Sequence, residues 1–202
     1  SETFTMKGQI GYARFNDFSM GAYVSGPLSD RARVSLAGFH RSSDGYIKMA
    51  DPIVPGKING NASPIKQQSV RAKLELDVTE TLQATLGYNF GYTSDARGLM
   101  FQTHAYTPAS LNAPPQRGTT PDVASYNRKT YLHGKTHEGT LKLVLDTGIG
   151  SLTSYTGYAK RNIGQGFDFD GSYKDQIYNE VPKMDWRTFQ QTVDFVLDTS
   201  DT

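Results

Sequence analysis

The run Val70-Arg71-Ala72-Lys73-Leu74-Glu75-Leu76-Asp77-Val78 is followed, after Thr79-Glu80-Thr81, by Leu82-Gln83-Ala84-Thr85-Leu86-Gly87-Tyr88-Asn89-Phe90-Gly91-Tyr92. In both runs every second residue is apolar, and the residues between are charged, polar or glycine. Strict alternation on either side of a short polar link predicts two antiparallel strands with one apolar face. The face that this hairpin turns away from its apolar side carries the column Arg71, Lys73, Glu75 and Asp77.

The same period of two recurs along the chain. Phe4, Met6, Ile10 and Tyr12 alternate with Thr5, Lys7 and Gln9; Phe18, Met20, Ala22 and Val24 alternate with Ser19, Gly21 and Ser25. Val34 and Leu36 oppose Arg33 and Ser35. Leu141, Leu143 and Leu145 oppose Thr140, Lys142 and Asp146, and Phe189, Val193, Phe195 and Leu197 oppose Gln190, Thr192, Asp194 and Asp198. Residues 151–161 are ambiguous, because Leu152 and Tyr158 share a face while Tyr155 falls on the other. The expectation is an all-β chain of about eight antiparallel strands without helices.

Length and register say what the apolar face meets. Segments of about ten residues, at ~3.3 Å per residue and ~45° tilt, span roughly 24 Å, close to the ~25 Å apolar band of a transmembrane β-barrel. Soluble strands usually hold about five or six residues. A one-residue slip would turn Arg71, Lys73, Glu75 and Asp77 to the apolar side, and in lipid each basic residue near the midplane would cost ~2–4 kcal/mol. That column is therefore expected to face a wet interior. Connections sort the same way: short turns at 28–31, 79–81 and 147–150 share one end, and long ones at 44–67, 94–136 and 162–186 share the other. Residues 14–17 are a short exception at the long end. Tyr12, Tyr88, Phe90 and Tyr92, near strand ends, suit an aromatic girdle.

Composition narrows the classes. The chain has 202 residues, a formal net charge of +1, 20% charged and 37% hydrophobic residues, and no cysteine. It is too apolar for a disordered chain, and its charge argues against a nucleic-acid partner. Without cysteine there is no disulfide, thiol nucleophile or thiolate metal site. No apolar run approaches the length of a transmembrane helix, although alternating membrane strands leave little trace in mean hydropathy. Ser1-Glu2-Thr3-Phe4 lacks the charged and apolar regions of a signal peptide. Leu76-Asp77-Val78-Thr79, Leu145-Asp146-Thr147 and Leu197-Asp198-Thr199 each close a strand at a turn, and the last stands at the end of the sequence. The expectation is a partial barrel domain over 1–202.

Three stretches carry a family likeness: Val24-Ser25-Gly26-Pro27-Leu28-Ser29-Asp30-Arg31, then Leu36-Ala37-Gly38-Phe39-His40-Arg41, then Asp44-Gly45-Tyr46-Ile47. With Gln68-Ser69-Val70-Arg71-Ala72-Lys73-Leu74, Leu152-Thr153-Ser154-Tyr155-Thr156-Gly157-Tyr158 and Phe189-Gln190-Gln191, the sequence resembles the barrel segment that follows the plug in TonB-dependent outer-membrane receptors. The resemblance implies a barrel of roughly 22 strands in the outer membrane of a Gram-negative bacterium. It also implies a plug domain and remaining strands elsewhere in the parent chain, and coupling to the TonB complex. The implied role is uptake of a small ligand such as a ferric siderophore, cobalamin or a glycan. A self-contained eight-stranded barrel with a structural or adhesion role is the alternative; strands one and eight would then pair.

Ligand contacts are expected in the long connection 94–136, because structureless segments of that length are rare and usually functional. Arg97, Phe101, His104, Tyr106, Arg128 and Tyr131 are its candidate residues, since aromatic and guanidinium groups pack on and pair with an anionic ligand. Met100, Tyr126 and His133 lie in the same stretch. Pro108, Pro114, Pro115 and Pro121 equally suit a solvated cover whose aromatics pack on neighbouring loops. His133 and His137, beside Glu138, converge on a metal only if helical, and the adjoining strand pattern argues against that. Asp168-Phe169-Asp170-Gly171 with Asp175 reads as an acidic turn lacking the full calcium-loop spacing. Gly164-Gln165-Gly166 lacks the context of a phosphate loop. No catalytic constellation, resident cofactor or metal site is expected. The four histidines His40, His104, His133 and His137 fall in no nucleophile or zinc motif.

Overall fold

The computed structural model describes residues 3–51, 54, 57–95, 123–124, 128–168 and 177–197. Eleven strands form within them: β1 (Thr5–Ala13), β2 (Asp17–Ser29), β3 (Ala32–Ser43), β4 (Lys48–Ala50), β5 (Ile58–Asn61), β6 (Ile65–Asp77), β7 (Leu82–Asp95), β8 (Val123–Ala124), β9 (Tyr131–Asp146), β10 (Gly150–Asp168) and β11 (Tyr178–Leu197). Eight of them make one sheet in the order β1-β2-β3-β6-β7-β9-β10-β11, every pair antiparallel. The short β4, β5 and β8 make a second, three-stranded sheet within the long connections, which the alternation does not announce.

The hairpin of residues 70–92 is β6–β7, in register from Ile65↔Asp95 to Asp77↔Gln83. Its turn is closed by the Val78 amide donating to the Leu82 carbonyl at 2.9 Å, and by the Thr79 hydroxyl accepting from the Leu82 amide at 3.0 Å. Residues 30–31, 78–81 and 147–149 are the short links of one end. The ambiguous segment 151–161 is regular strand in β10. Leu152 lies beside Leu145 and Tyr158 beside Phe189, while Tyr155 faces Lys142 on the reverse side.

One face of the large sheet is built from the expected apolar positions, and among the described residues no second layer covers it. Ile10 is 81% exposed, Met6 74%, Phe189 66% and Leu86 45%. Among the described residues the buried apolar ones are Ile47, Ala50, Ala62, Ile65 and Ala84, and Ile47 and Ala62 form a small cluster in the 44–64 connection. Gly45 fixes that connection: at φ +78° a side chain there would run into the Ser63 carbonyl, whose own residue holds the Ile47 amide through its hydroxyl at 3.3 Å.

The apolar belt crosses the sheet diagonally. On β1 it reaches Tyr12, in the row that continues through Phe18, Ser42, Lys66, Ser94 and His133. On β9 its upper aliphatic residue is Leu141, in the row of Val34, Leu74 and Leu86. Between those rows β6 steps through Lys66, Gln68, Val70, Ala72 and Leu74. A belt that descends across hydrogen-bonded rows is what strands tilted to the axis of a barrel require.

The sheet differs from the sequence expectation above the belt. Strands β9, β10 and β11, with 16, 19 and 20 residues, run well into the stretches read as connections, so Tyr131 and His133 belong to β9 and Tyr178 and Glu180 to β11. Above the belt the alternation inverts: Leu132, Ile163, Phe167, Val181 and Met184 point to the otherwise polar face, and glycines and charged residues take the other. A search for apolar residues on one continuous face stops where that inversion begins. β1 and β11 are not partners among the described residues, so the sheet is open there, unlike the self-contained alternative in which the first and last strands pair.

Candidate functional site

Two groups of residues stand out on the scaffold: the charged reverse face and the upper ends of β9–β11. On the reverse face, register places Arg71, Lys73, Glu75 and Asp77 in one column on β6, with Arg33 of β3 opposite Glu75. Arg33 bridges two carboxylates, at 3.8 Å to Glu75 and 3.1 Å to Asp77, and Lys73 meets Glu75 at 2.8 Å. Higher on the same face Arg41 holds Asp17 with a two-pronged pair of bonds, Nε at 2.9 Å and Nη2 at 2.5 Å. Each such partly exposed pair adds about 0–1 kcal/mol. Their effect is to make a self-neutralising polar wall. Arg161 lies over the Trp186 ring at 5.9 Å, adding a flat aromatic surface to it. Arg33 and Arg41 belong to this wall as much as the β6 column. Their place opposite Val34 and His40 in the alternation is the signal that finds them.

At the upper end, Tyr131 donates its hydroxyl to Glu180 at 2.6 Å, across the β10 strand that separates them. The bond passes over Gly166, where a Cβ would stand 2.6 Å from the Tyr131 ring and would collide with the Tyr178 hydroxyl. Gly166 is thus the floor on which two tyrosines lie, and His133 lies in the same way over Gly164. The Tyr131 and His133 rings stack at 5.3 Å and 13°. Arg128 sits 5.0 Å over the Tyr178 ring, and the Tyr178 hydroxyl donates to the Lys129 carbonyl at 3.3 Å. Donation to a carboxylate pushes the Tyr131 pKa up to about 12. Tyr178 is also raised, first by desolvation and then by the Glu180 charge, with Arg128 opposing.

Beside this cluster lies a cavity of about 340 Å³ lined by Pro64, Ser94, Lys129, Thr130, Tyr131, Leu132 and His133. Thr130 is 3% exposed, and its hydroxyl has no hydrogen-bond partner among the described residues. A third upper feature is the 14–16 turn, where Phe15 and Asn16 are both left-handed (φ 66° and 53°). Asp44 and Ser43 donate to the Phe15 carbonyl, Asn16 donates to Asp44 at 2.7 Å, and Tyr12 donates to Asn16 at 2.9 Å. Such over-determination is what holds strained residues in place.

The structure brings Arg128 and Tyr131 together around Tyr178. Arg97, Phe101, His104 and Tyr106 lie outside the described residues, as do Met100, Tyr126, Phe169, Asp170, Gly171 and Asp175. Asp168 is buried at the end of β10, 1% exposed. His133 and His137 lie on one strand face, where four residues of strand separate them by about 13 Å. His137 is bound instead to the Tyr88 hydroxyl at 2.8 Å. Glu180 and Tyr178 escape the sequence reading because they sit in the inverted extension of β11.

No family model matches the sequence, and no curated protein matches it. Among solved structures, the chain is similar to the siderophore receptor PiuA from Acinetobacter baumannii, with a TM-score of 0.71 and 15% sequence identity. The match covers 99% of this chain and 28% of that one, so the chain spans little more than a quarter of the receptor's length. It shows the fold: an all-β, antiparallel eight-stranded sheet corresponding to a barrel-like portion of a receptor.

Proposed function

We propose that this chain is part of the wall of a TonB-dependent outer-membrane receptor that captures a small ligand and imports it. The observation that carries the reading is the pairing of opposite faces: an apolar belt that no described residue covers, backed by a charged wall in which Arg33, Arg41 and Lys73 are paired with carboxylates. A water-soluble sheet would not leave so large a contiguous apolar area exposed. Acyl chains cover the belt, and the wet lumen or a plug domain meets Arg71, Lys73, Glu75 and Asp77. The likeness in fold to a siderophore receptor supports a receptor or transporter over a structural or adhesion barrel, and the open edges at β1 and β11 support further strands beside them.

In this mechanism the long connections above the sheet capture the ligand, with Arg97, Phe101, His104, Tyr106 and Arg128 supplying cation and ring contacts. Tyr131, bonded to Glu180, ties the upper ends of β9 and β11 together. Plug rearrangement, driven through the TonB complex, then admits the ligand. A ferric siderophore is the ligand class proposed. The test is uptake of radiolabelled ferric siderophores by cells that lack the receptor gene and carry either the intact gene or one with Arg97, Phe101 and His104 replaced by Ala. The intact gene restores energy-dependent uptake and the altered gene does not. Uptake that is unchanged by deleting the whole gene, across a panel of siderophores, overturns the ligand class.

A further inference from the structure

Read upward from the apolar belt, the face that carries it changes character in a fixed order. On β7, β9, β10 and β11 the rows through Leu86 and Leu141 give way to an aromatic row, Tyr88, Tyr158 and Phe189, with Gly139 between. The next row is Phe90, His137, Lys160 and Arg187, and Lys135 stands one row higher on β9. Lys160 and Arg187 are direct cross-strand partners, and His137 is the partner of Lys160 on its other side. Neighbouring strands lie ~4.8 Å apart, so these groups stand side by side, and like charges directly opposite one another destabilise a sheet.

On the reverse face Arg33, Arg41 and Lys73 are each bonded to a carboxylate, and Arg71 and Lys142, which form no ion pair among the described residues, share their rows with Glu138 and Glu75. Lys135, Lys160 and Arg187 form no ion pair among the described residues. The acidic groups near them are committed to other partners. Asp185 is held by Lys183 at 2.9 Å and by Asn162, and Glu180 is held by Tyr131. Glu138 points to the opposite face with Arg71 and Asn89. An arrangement of this kind is stable when an anion from outside the chain lies across it.

We infer that Lys160 and Arg187, flanked by Lys135 and His137, bind the phosphate groups of lipid headgroups in the leaflet that surrounds the barrel. The inference rests on the membrane-wall reading above. Position selects the source of the phosphate: the site lies immediately beyond the aromatic row, on the lipid side of the wall, where headgroups stand once acyl chains cover Leu86, Leu141 and Tyr158. Arg187 supplies a planar fork suited to phosphate oxygens and Lys160 a mobile point charge. His137, anchored on Tyr88 and packed 5.1 Å from the Phe90 ring, ties the site to the girdle.

The experiment uses the full-length protein in detergent, and native mass spectrometry counts the retained lipid. The probes are bisphosphorylated lipid A and the same lipid stripped of its phosphates. Wild type retains the phosphorylated form, and Lys160→Gln with Arg187→Gln lowers that retention about tenfold or more. Lys160→Arg keeps it, and Arg71→Gln on the reverse face leaves it unchanged. Equal retention by the double variant, or equal binding of dephosphorylated lipid A by wild type, overturns the site. Nitroxide labels at Leu86→Cys and Leu143→Cys in a bilayer separate this outcome from failure of the wall reading. Labels reached by oxygen but not by a water-soluble quencher keep the wall, so that loss of the lipid result counts against the phosphate site alone. Labels reached by the aqueous quencher overturn both.

Discussion

Tyr131 and Gly166 form one device at the scale of single residues. A side chain at position 166 would displace the ring that reaches Glu180, so the glycine and the hydrogen bond stand or fall together. Because the folded-state pKa of Tyr131 lies at about 12, above the usual tyrosine value near 10, the bond stabilises the rim fully below pH ~10 and loses that effect as pH rises through about 12. An ultraviolet titration of tyrosinate therefore shows late-titrating phenols, and Tyr131→Phe removes the one near pH 12. Gly166→Val moves the same phenol back toward its ordinary range. A Gly166→Val titration identical to wild type would show that the ring is held by something other than this floor. The 14–16 turn makes a second case. Asn16→Val places a branched side chain in left-handed backbone and removes two hydrogen bonds. The turn is expected to become the fastest site of proteolytic nicking at that end, with the sheet below it intact.

At the scale of strands, the belt makes opposite demands on adjacent positions. Leu86→Arg puts a guanidinium among acyl chains and is expected to cost ~2–4 kcal/mol, depending on depth. Thr85→Arg, one residue away on the charged wall, faces water and is expected to cost under ~1 kcal/mol. Refolding into vesicles at graded urea concentrations measures the difference, and equal costs would mean that both faces meet the same medium. This two-residue contrast also explains what was legible beforehand. Alternation of Val70–Val78 and Leu82–Tyr92 reveals face and register because lipid on one side and water on the other force each residue to choose. Where the strands rise beyond the belt, neither face is apolar by necessity, and Leu132, Ile163 and Phe167 turn to the reverse side. Residues 162–168 and 178–186 consequently read as connection although they are strand. The charged column Arg71 to Asp77 was readable as a wall, but its partner Arg33 needed the β3–β6 register. Tyr131 was readable as a residue of interest, whereas Glu180, 49 residues away, had no local signal linking the two.

For the whole molecule, the decisive feature is that the large sheet has two long edges. β1 contributes 9 residues to one and β11 contributes 20 to the other, and neither strand has a second neighbour among the described residues. Unpaired edges of that length template association with other chains, so a barrel must supply partners or close on itself. Native hydrogen exchange distinguishes the arrangements. In the isolated 202-residue chain, folded in detergent, amides of β6, β7 and β9 are expected to be protected, because each of these strands has partners on both sides. Alternate amides of β11 should exchange within the dead time, since their edge faces solvent. In the full-length protein those same β11 amides should become as slow as those of β7, because a further strand takes the free edge. If they stay fast in the full-length protein, the edge is a true boundary of the sheet and the larger barrel is wrong. If they are already slow in the isolated chain, and cross-links join β11 to β1, the eight strands have closed on themselves. The smaller, self-contained barrel would then be the better account of how the apolar belt surrounds its charged interior.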